Sequence, residues 1–273
     1  MTADLPTVLL GTLAAFGVVW LFQAAMLRAN GERAVTWYLR FPREKPALRW
    51  TGRIVQQACL IIIIVAAPLA LGLDLVEAFE TAYPFPVPWR EIGLTATVVL
   101  GLGIAGCFIA LWTGLIRYHP HHDRRTRWRK IFRRCLYPVP LAMIEEGVFR
   151  FFIMGELLAL LPDTTLWQAV AVAIAAAIFS AAHFIQPKGP ILQPAFGLFV
   201  VGCLFGLAYM LGGQTLWLAV TAHACAIFVN EQARLQVVYS GPAWMIGRVE
   251  FGYSGLFGIP FIIAMGVMLW LVI

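Results

Sequence analysis

Charge is scarce in this chain. Asp, Glu, Lys and Arg make up 12% of its 273 residues, about half the usual share of about 25% in soluble proteins. With 61% hydrophobic residues, that excludes an ordinary soluble domain. One integral-membrane domain over residues 1–273 is expected. Five cysteines are present, Cys59, Cys107, Cys135, Cys203 and Cys225, but no CxxC spacing, which removes the usual zinc-ribbon and disulfide-framework readings. HExxH is also absent, so no single helix offers the paired zinc ligands of a metalloprotease. The leader Met1–Pro6 contains Asp4 and no Lys or Arg. A signal peptide starts basic, so the first apolar run is expected to be a retained helix. Internal repeats and low-complexity segments are lacking too.

What the chain does have is a series of apolar runs. They cover about Thr7–Leu27, Ile54–Leu73, Ile92–Ile116, Leu136–Leu161, Trp167–Phe184, Ala195–Leu211, Gln214–Ala233 and Ile259–Ile273. A helix needs ~20 apolar residues to cross a bilayer, and the last run is short for that. The fold class expected is all-α, a polytopic transmembrane helical bundle of about eight spans. Small residues allow close helix approach, and Gly101, Gly103, Gly106, Gly202 and Gly206 are placed for it. Nearly all Lys and Arg fall in alternate connections, above all Arg28–Arg53 and Arg117–Arg134. The positive-inside rule puts those loops in the cytoplasm and both termini outside. The net charge of +6 is therefore an orientation signal, and no nucleic-acid partner is expected. Trp37, Tyr38 and Phe41 suit the headgroup level. A bacterial or archaeal cell membrane is the expected location.

The fourth run carries Glu145, Glu146 and Arg150 in Met143-Ile144-Glu145-Glu146-Gly147-Val148-Phe149-Arg150. Ionised groups at that depth cost at least ~2.5–3.5 kcal/mol each and mark function by default. Glu146 and Arg150 are four apart and share a helix face. Glu145 lies ~100° round the helix, leaving it available for chemistry. His183 ends the fifth run and His223 sits inside the seventh. Two intramembrane imidazoles and a glutamate pair on separate helices make up the parts of a water-activating site. An apolar setting makes a carboxylate a better proton acceptor, which suits a general base near neutral pH. One histidine beside it helps hold the attacking water, and another can donate to a developing oxyanion. No serine or cysteine has a nucleophile's partners, and Ser180 reads as a packing residue. His119, His121 and His122 read as a solvated loop cluster. Glu145, His183 and His223 are of ligand type for zinc, but the spacing does not favour it. No metal or other cofactor is expected.

Glu145-Glu146-x-x-x-Arg150, Phe179-x-x-x-His183 and an intramembrane His223 together resemble the CPBP (CAAX protease and bacteriocin-processing) family of intramembrane endopeptidases, which includes the type II CAAX prenyl proteases. The resemblance covers about 137–234. It implies a helical bundle that hydrolyses a peptide bond in a membrane-associated protein or peptide, held at a cavity in the lipid bilayer. It implies that Glu145 activates water with His183, that His223 serves the oxyanion site, and that Glu146, Arg150 and Phe179 support them. The family has asparagine or aspartate four residues after the last histidine; this chain has Ile227. Asn230 is seven residues on, within ~20° of the same face and ~10 Å along the axis; it is the candidate substitute where the helix is distorted, the alternative being an oxyanion site that lacks this donor. The competing reading is a non-catalytic membrane protein, an immunity-like, scaffold or transport subunit whose charged cluster is structural. Nothing in the sequence sets an oligomeric state.

Overall fold

A computed structural model describes residues 5–32, 44–70, 74–120, 123–183, 192–247 and 255–273. Trp37, Tyr38, Phe41, His121 and His122 lie outside these residues.

Within the described residues, each of the eight apolar runs is mainly helical. They are α1 (Leu5–Ala29), α2 (Pro46–Ala70), α4 (Trp89–Trp112), a composite run from α6 (Pro138–Glu146) to α7 (Gly155–Leu160), α8 (Thr165–Ala182), α9 (Leu192–Leu211), α10 (Leu216–Gln236) and α12 (Gly258–Val272). Among the described residues, four stretches are long and apolar enough to cross a membrane: Pro46–Ala66, Trp89–Trp112, Thr165–Ala182 and Gln193–Leu211. Leu13–Ala29 and Gly258–Val272 are shorter apolar helices. The protein is an all-α integral membrane bundle.

Three features depart from the expectation. A short helix, α3 (Leu75–Ala82), lies in the second connection and is capped by Asp74, whose carboxylate accepts from Val76 and Glu77 N–H. The dense basic loop is largely a helix, α5 (Arg124–Leu136), capped by Asp123. The N–H of Thr126 donates to that carboxylate at 3.0 Å and holds it below its usual range. Finally, the expected end of the third run is β1 (Ile116–Tyr118), paired antiparallel with β2 (Val237–Tyr239); a short α11 (Ala243–Ile246) follows. Turn and strand residues interrupt there because Gly114 takes a positive φ of 74°, a conformation glycine adopts without steric cost.

Contacts tie connections to one another at each end of the bundle. Lys45 bridges to Glu32 at 2.8 Å, joining the ends of α1 and α2. The β1–β2 ribbon ties the end of α4 to the end of α10. On the opposite side the Trp217 indole donates to Pro84 O at 3.1 Å, seating the start of α10 against the α3 connection.

The core lies where α8 and α9 meet the composite helix and α10. Val148, Phe149, Ile153, Phe179, Leu198, Phe205 and Leu218 are buried together. Small residues permit the closest approach. A Cβ on Gly202 would stand 3.0 Å from Ala176, and one on Gly206 would stand 2.8 Å from Val172. Gly103 and Gly106 face Val229 and Phe261 in the same manner, whereas Gly101 faces open space and approaches nothing within 4 Å. Ser180 donates to Ala195 O at 2.8 Å, a further tie from α8 to α9.

This packing predicts that Gly202→Val destabilises the bundle by about 1–3 kcal/mol, the usual cost of overpacking, while Gly101→Ala is silent. Thermal unfolding in detergent reads both.

Candidate active site

The composite helix is not α-helical throughout. Between Glu146 and Gly155 it opens into π-helical turns, Gly147–Met154. Such wide turns are rare and concentrate at functional sites. Glu145 and Glu146 end the regular part and Arg150 lies within the wide part, so the expectation of a simple α-helical spacing is corrected here. The pair forms nonetheless. Gly147 allows α2 to approach this point, since a Cβ there would meet Ile64 at 3.1 Å.

Arg150 is fully buried. Its Nη1 donates to Glu146 Oε1 at 3.2 Å. Nε stands 3.1 Å from Glu146 Oε2, an ionic contact whose angles miss a hydrogen bond. Nη2 donates to Gly202 O at 2.9 Å on α9. The guanidinium lies 4.7 Å from the centre of Phe179, 5.4 Å from Phe205 and 6.0 Å from Phe149. Rings at that range attract a cation, by up to about 2 kcal/mol when desolvated. The arginine is thus satisfied on its edge by oxygen and on its faces by aromatic carbon.

Glu146 is also fully buried, and its second partner is a histidine. His223 Nδ1 lies 2.6 Å from Glu146 Oε1. The same oxygen accepts from Arg150 Nη1, so it is an acceptor here and His223 Nδ1 is the donor. Phe205 stacks on the His223 ring at 4.4 Å and 22°. Orientation and tautomer are therefore both fixed, the arrangement by which partners set a histidine's chemistry. The remaining nitrogen, Nε2, points to Glu145, 3.6 Å from Oε2.

His183 arrives from the other side. It follows the last residue of α8, and its Nδ1 donates to Phe179 O at 2.8 Å, a carbonyl that can only accept. Nε2 is again the free nitrogen, 3.8 Å from the same Glu145 Oε2. Phe179 supports both rings, at 4.4 Å from His183 and 5.8 Å from His223.

One carboxylate oxygen thus faces two ring nitrogens, each just beyond direct hydrogen-bond range. Glu145 and His183 border a cavity of about 30 Å³, lined also by Phe149 and Ala182, by Phe16 and Val19 of α1 and by Gln56 and Leu60 of α2; His223 stands behind Glu145 and does not line it. Glu145 lies seven residues into α6, or ~10 Å at helical rise, and His183 is at the C-terminal end of α8.

Six of the seven residues singled out from the sequence, Glu145, Glu146, Arg150, Phe179, His183 and His223, come together. Asn230 does not join them. It lines a separate apolar cavity of about 140 Å³ with Gly103, Gly106, Leu204, Phe261 and Met265, because two helical turns along α10 carry it away from His223. Phe205 and the Gly202 carbonyl were not picked out as site residues. Gly202 stood out only as a small residue for packing, and neither residue type signals contact with a charge. Tyr83, beside α3, was also missed. Burial, then the charge of Glu146, raises its phenol well above the ordinary range, so it keeps its proton. Among the described residues no group of three His, Cys, Asp or Glu is arranged to hold a metal ion.

Residues 128–229, a little over a third of the chain, match the family model described as "Type II CAAX prenyl endopeptidase Rce1-like". The match bears out the resemblance carried by the glutamate and histidine motifs. Searches of curated proteins and of solved structures find no match.

The buried pair makes a specific prediction. Arg150→Gln strands the Glu146 charge and costs about 3–5 kcal/mol, whereas Glu146→Gln combined with Arg150→Gln costs much less than the two single losses summed. Unfolding of the four proteins in detergent measures the coupling.

Proposed function

We propose that this chain, which carries the Rce1-like segment, is an intramembrane endopeptidase of the glutamate type that cleaves a membrane-held protein or peptide. The observation that carries the reading is the convergence of His183 Nε2 and His223 Nε2 on Glu145 Oε2, at 3.8 and 3.6 Å. A water molecule donates one proton to Glu145 Oε2 and the other to Nε2 of neutral His183, and accepts from Nε2 of His223 as imidazolium; contacts of about 2.8 Å bridge gaps of this size. The adjoining cavity of about 30 Å³ exceeds the ~10–15 Å³ that one water needs.

The steps follow from that geometry. The water oxygen attacks the scissile carbonyl carbon, and its proton passes to Glu145. The carbonyl π pair moves onto oxygen, giving a tetrahedral oxyanion. His223 donates through Nε2 only as imidazolium, because Nδ1–H is committed to Glu146; Glu146 stabilises that cation from behind. Collapse of the oxyanion re-forms the C=O and breaks the C–N bond, and the proton held by Glu145 goes to the leaving nitrogen. The proton still on the former water oxygen is then lost to solvent, so a carboxylate and an amine result, with no covalent enzyme intermediate. His183 holds the water and takes no covalent part.

The substrate is delivered by the bilayer. A peptide needs more room than the cavity provides, and its outer wall is Phe16, Val19, Gln56 and Leu60. Parting α1 and α2 from the composite helix opens the way. With the basic connections in the cytoplasm, the site lies in the inner half of the membrane.

Glu145→Gln is expected to lower turnover by about 10²–10⁴-fold, the range for a general base, with an unchanged melting temperature. Turnover is read by cleavage of a lipid-anchored reporter peptide in vesicles. Normal cleavage by the variant would end the assignment and leave a structural cluster. His183→Asn separates the same alternatives: in the enzyme it lowers turnover and spares folding, and in a non-catalytic bundle it disturbs folding. Chelation by EDTA is expected to leave the rate unchanged; loss of activity on chelation would move the role to a metal held by Glu145, His183 and His223.

A further inference from the structure

The α5 helix precedes the catalytic helix by one residue, and its two faces are chemically unlike. The inner face is fixed against the bundle. Arg134 Nη1 donates to Glu231 O at 2.6 Å and lies 3.1 Å from Glu231 Oε2 on α10. Gln232 reaches Ile131 O at 3.5 Å, and Arg127 donates to Tyr118 OH on β1 at 3.1 Å.

That leaves the opposite face outward. Trp128, Phe132 and Leu136 are 60%, 69% and 66% exposed, spaced by four residues and so aligned on one side. The stripe continues beyond Pro138 through exposed Val139 and Met143 of α6, on the lipid side of a membrane-spanning run. Beside it stand exposed Arg125 and Arg129. The helix holds seven basic residues in thirteen and no acidic one. A stripe of large apolar groups, joined without a break to a lipid-facing surface and flanked by arginine, is the pattern of a helix lying in a membrane interface.

We infer that α5 is a docking surface for anionic lipid headgroups, with Trp128, Phe132 and Leu136 sunk among the acyl chains and Arg125 and Arg129 on the phosphates. The occupant is the leaflet on the basic side, because positive charge alone flanks the stripe and an anionic surface complements it. The site is distinct from the glutamate–histidine centre and goes beyond the proposed activity. Its consequence for that centre is mechanical. The helix runs directly into α6 and is clamped to α10, so headgroup contact sets the depth of the two helices bearing Glu145 and His223.

The test is independent of turnover. Full-length protein is placed in phosphatidylcholine vesicles containing either brominated phosphatidylglycerol or brominated phosphatidylcholine at equal mole fraction. The Trp128 emission is taken as the difference between the unmodified chain and Trp128→Phe. Brominated phosphatidylglycerol is expected to quench it more strongly. Arg125→Gln with Arg129→Gln is expected to lower that preference by more than tenfold, since each basic group near such a surface contributes about fivefold. Equal quenching by the two lipids, or an unchanged preference in the double variant, overturns the inference. Quenching by neither lipid overturns it too, placing the face in water or on another protein. Relief of quenching by inorganic phosphate, beyond that by chloride at equal ionic strength, would overturn it in favour of a free phosphate ligand.

Discussion

A fully buried guanidinium sets the terms for this protein. Arg150 joins three helices, through Glu146 on its own helix, Gly202 on α9 and the rings of Phe179 on α8 and Phe205 on α9. Its charge is tolerable in the apolar interior only because each direction is answered. Glu146 in turn is tolerable because of Arg150, and it spends its remaining capacity on His223 Nδ1. The ion pair is thus both a brace for the bundle and the anchor of an imidazole. Buried pairs of this sort contribute little net stability against apolar replacements. The reason for this one lies in what it orients.

The rest of the centre depends on that asymmetry between neighbouring glutamates. Adjacent side chains on a helix diverge, so Glu146 turns to the core and Glu145 to the cavity beside α1 and α2. One is paired with an arginine and a histidine. The other has two imidazole nitrogens opposite it at distances that leave room for a third party. A carboxylate bound directly to either ring would lack that room. The 3.6–3.8 Å spacing is therefore as informative as a hydrogen bond. The rings cannot close it, because each is tied at its Nδ1, His183 to Phe179 O and His223 to Glu146.

Much of this was legible in the sequence. Charges and imidazoles inside long apolar runs are conspicuous, and the eight runs locate the helices because a bilayer demands length and apolarity together. The Glu146–Arg150 pairing is expected from their i, i+4 spacing, although the turns between them are π-helical and not α-helical. What the sequence hid is equally physical. The π-helical turns after Glu146 depend on tertiary packing, and no local residue pattern announces them. Phe205 and Gly202 touch the charges through a ring face and a backbone oxygen, roles that any apolar run might conceal. The basic stretch before Tyr137 looked like a loop because its polarity averages out, although Trp128, Phe132 and Leu136 keep a helical interval. Asn230 lay on the expected side of α10 by angle, but the rise of the helix separates it from His223.

The reactive groups and the wall that shuts them in come from different parts of the chain. Glu145, His183 and His223 all fall within the stretch that matches the peptidase family, whereas Phe16, Val19, Gln56 and Leu60 belong to two helices upstream of it. Under the proposed activity, chemistry and admission are written in separate stretches of sequence: the first two helices could diverge in shape and stickiness without disturbing the proton acceptors, so new clients would need only a redrafted doorway.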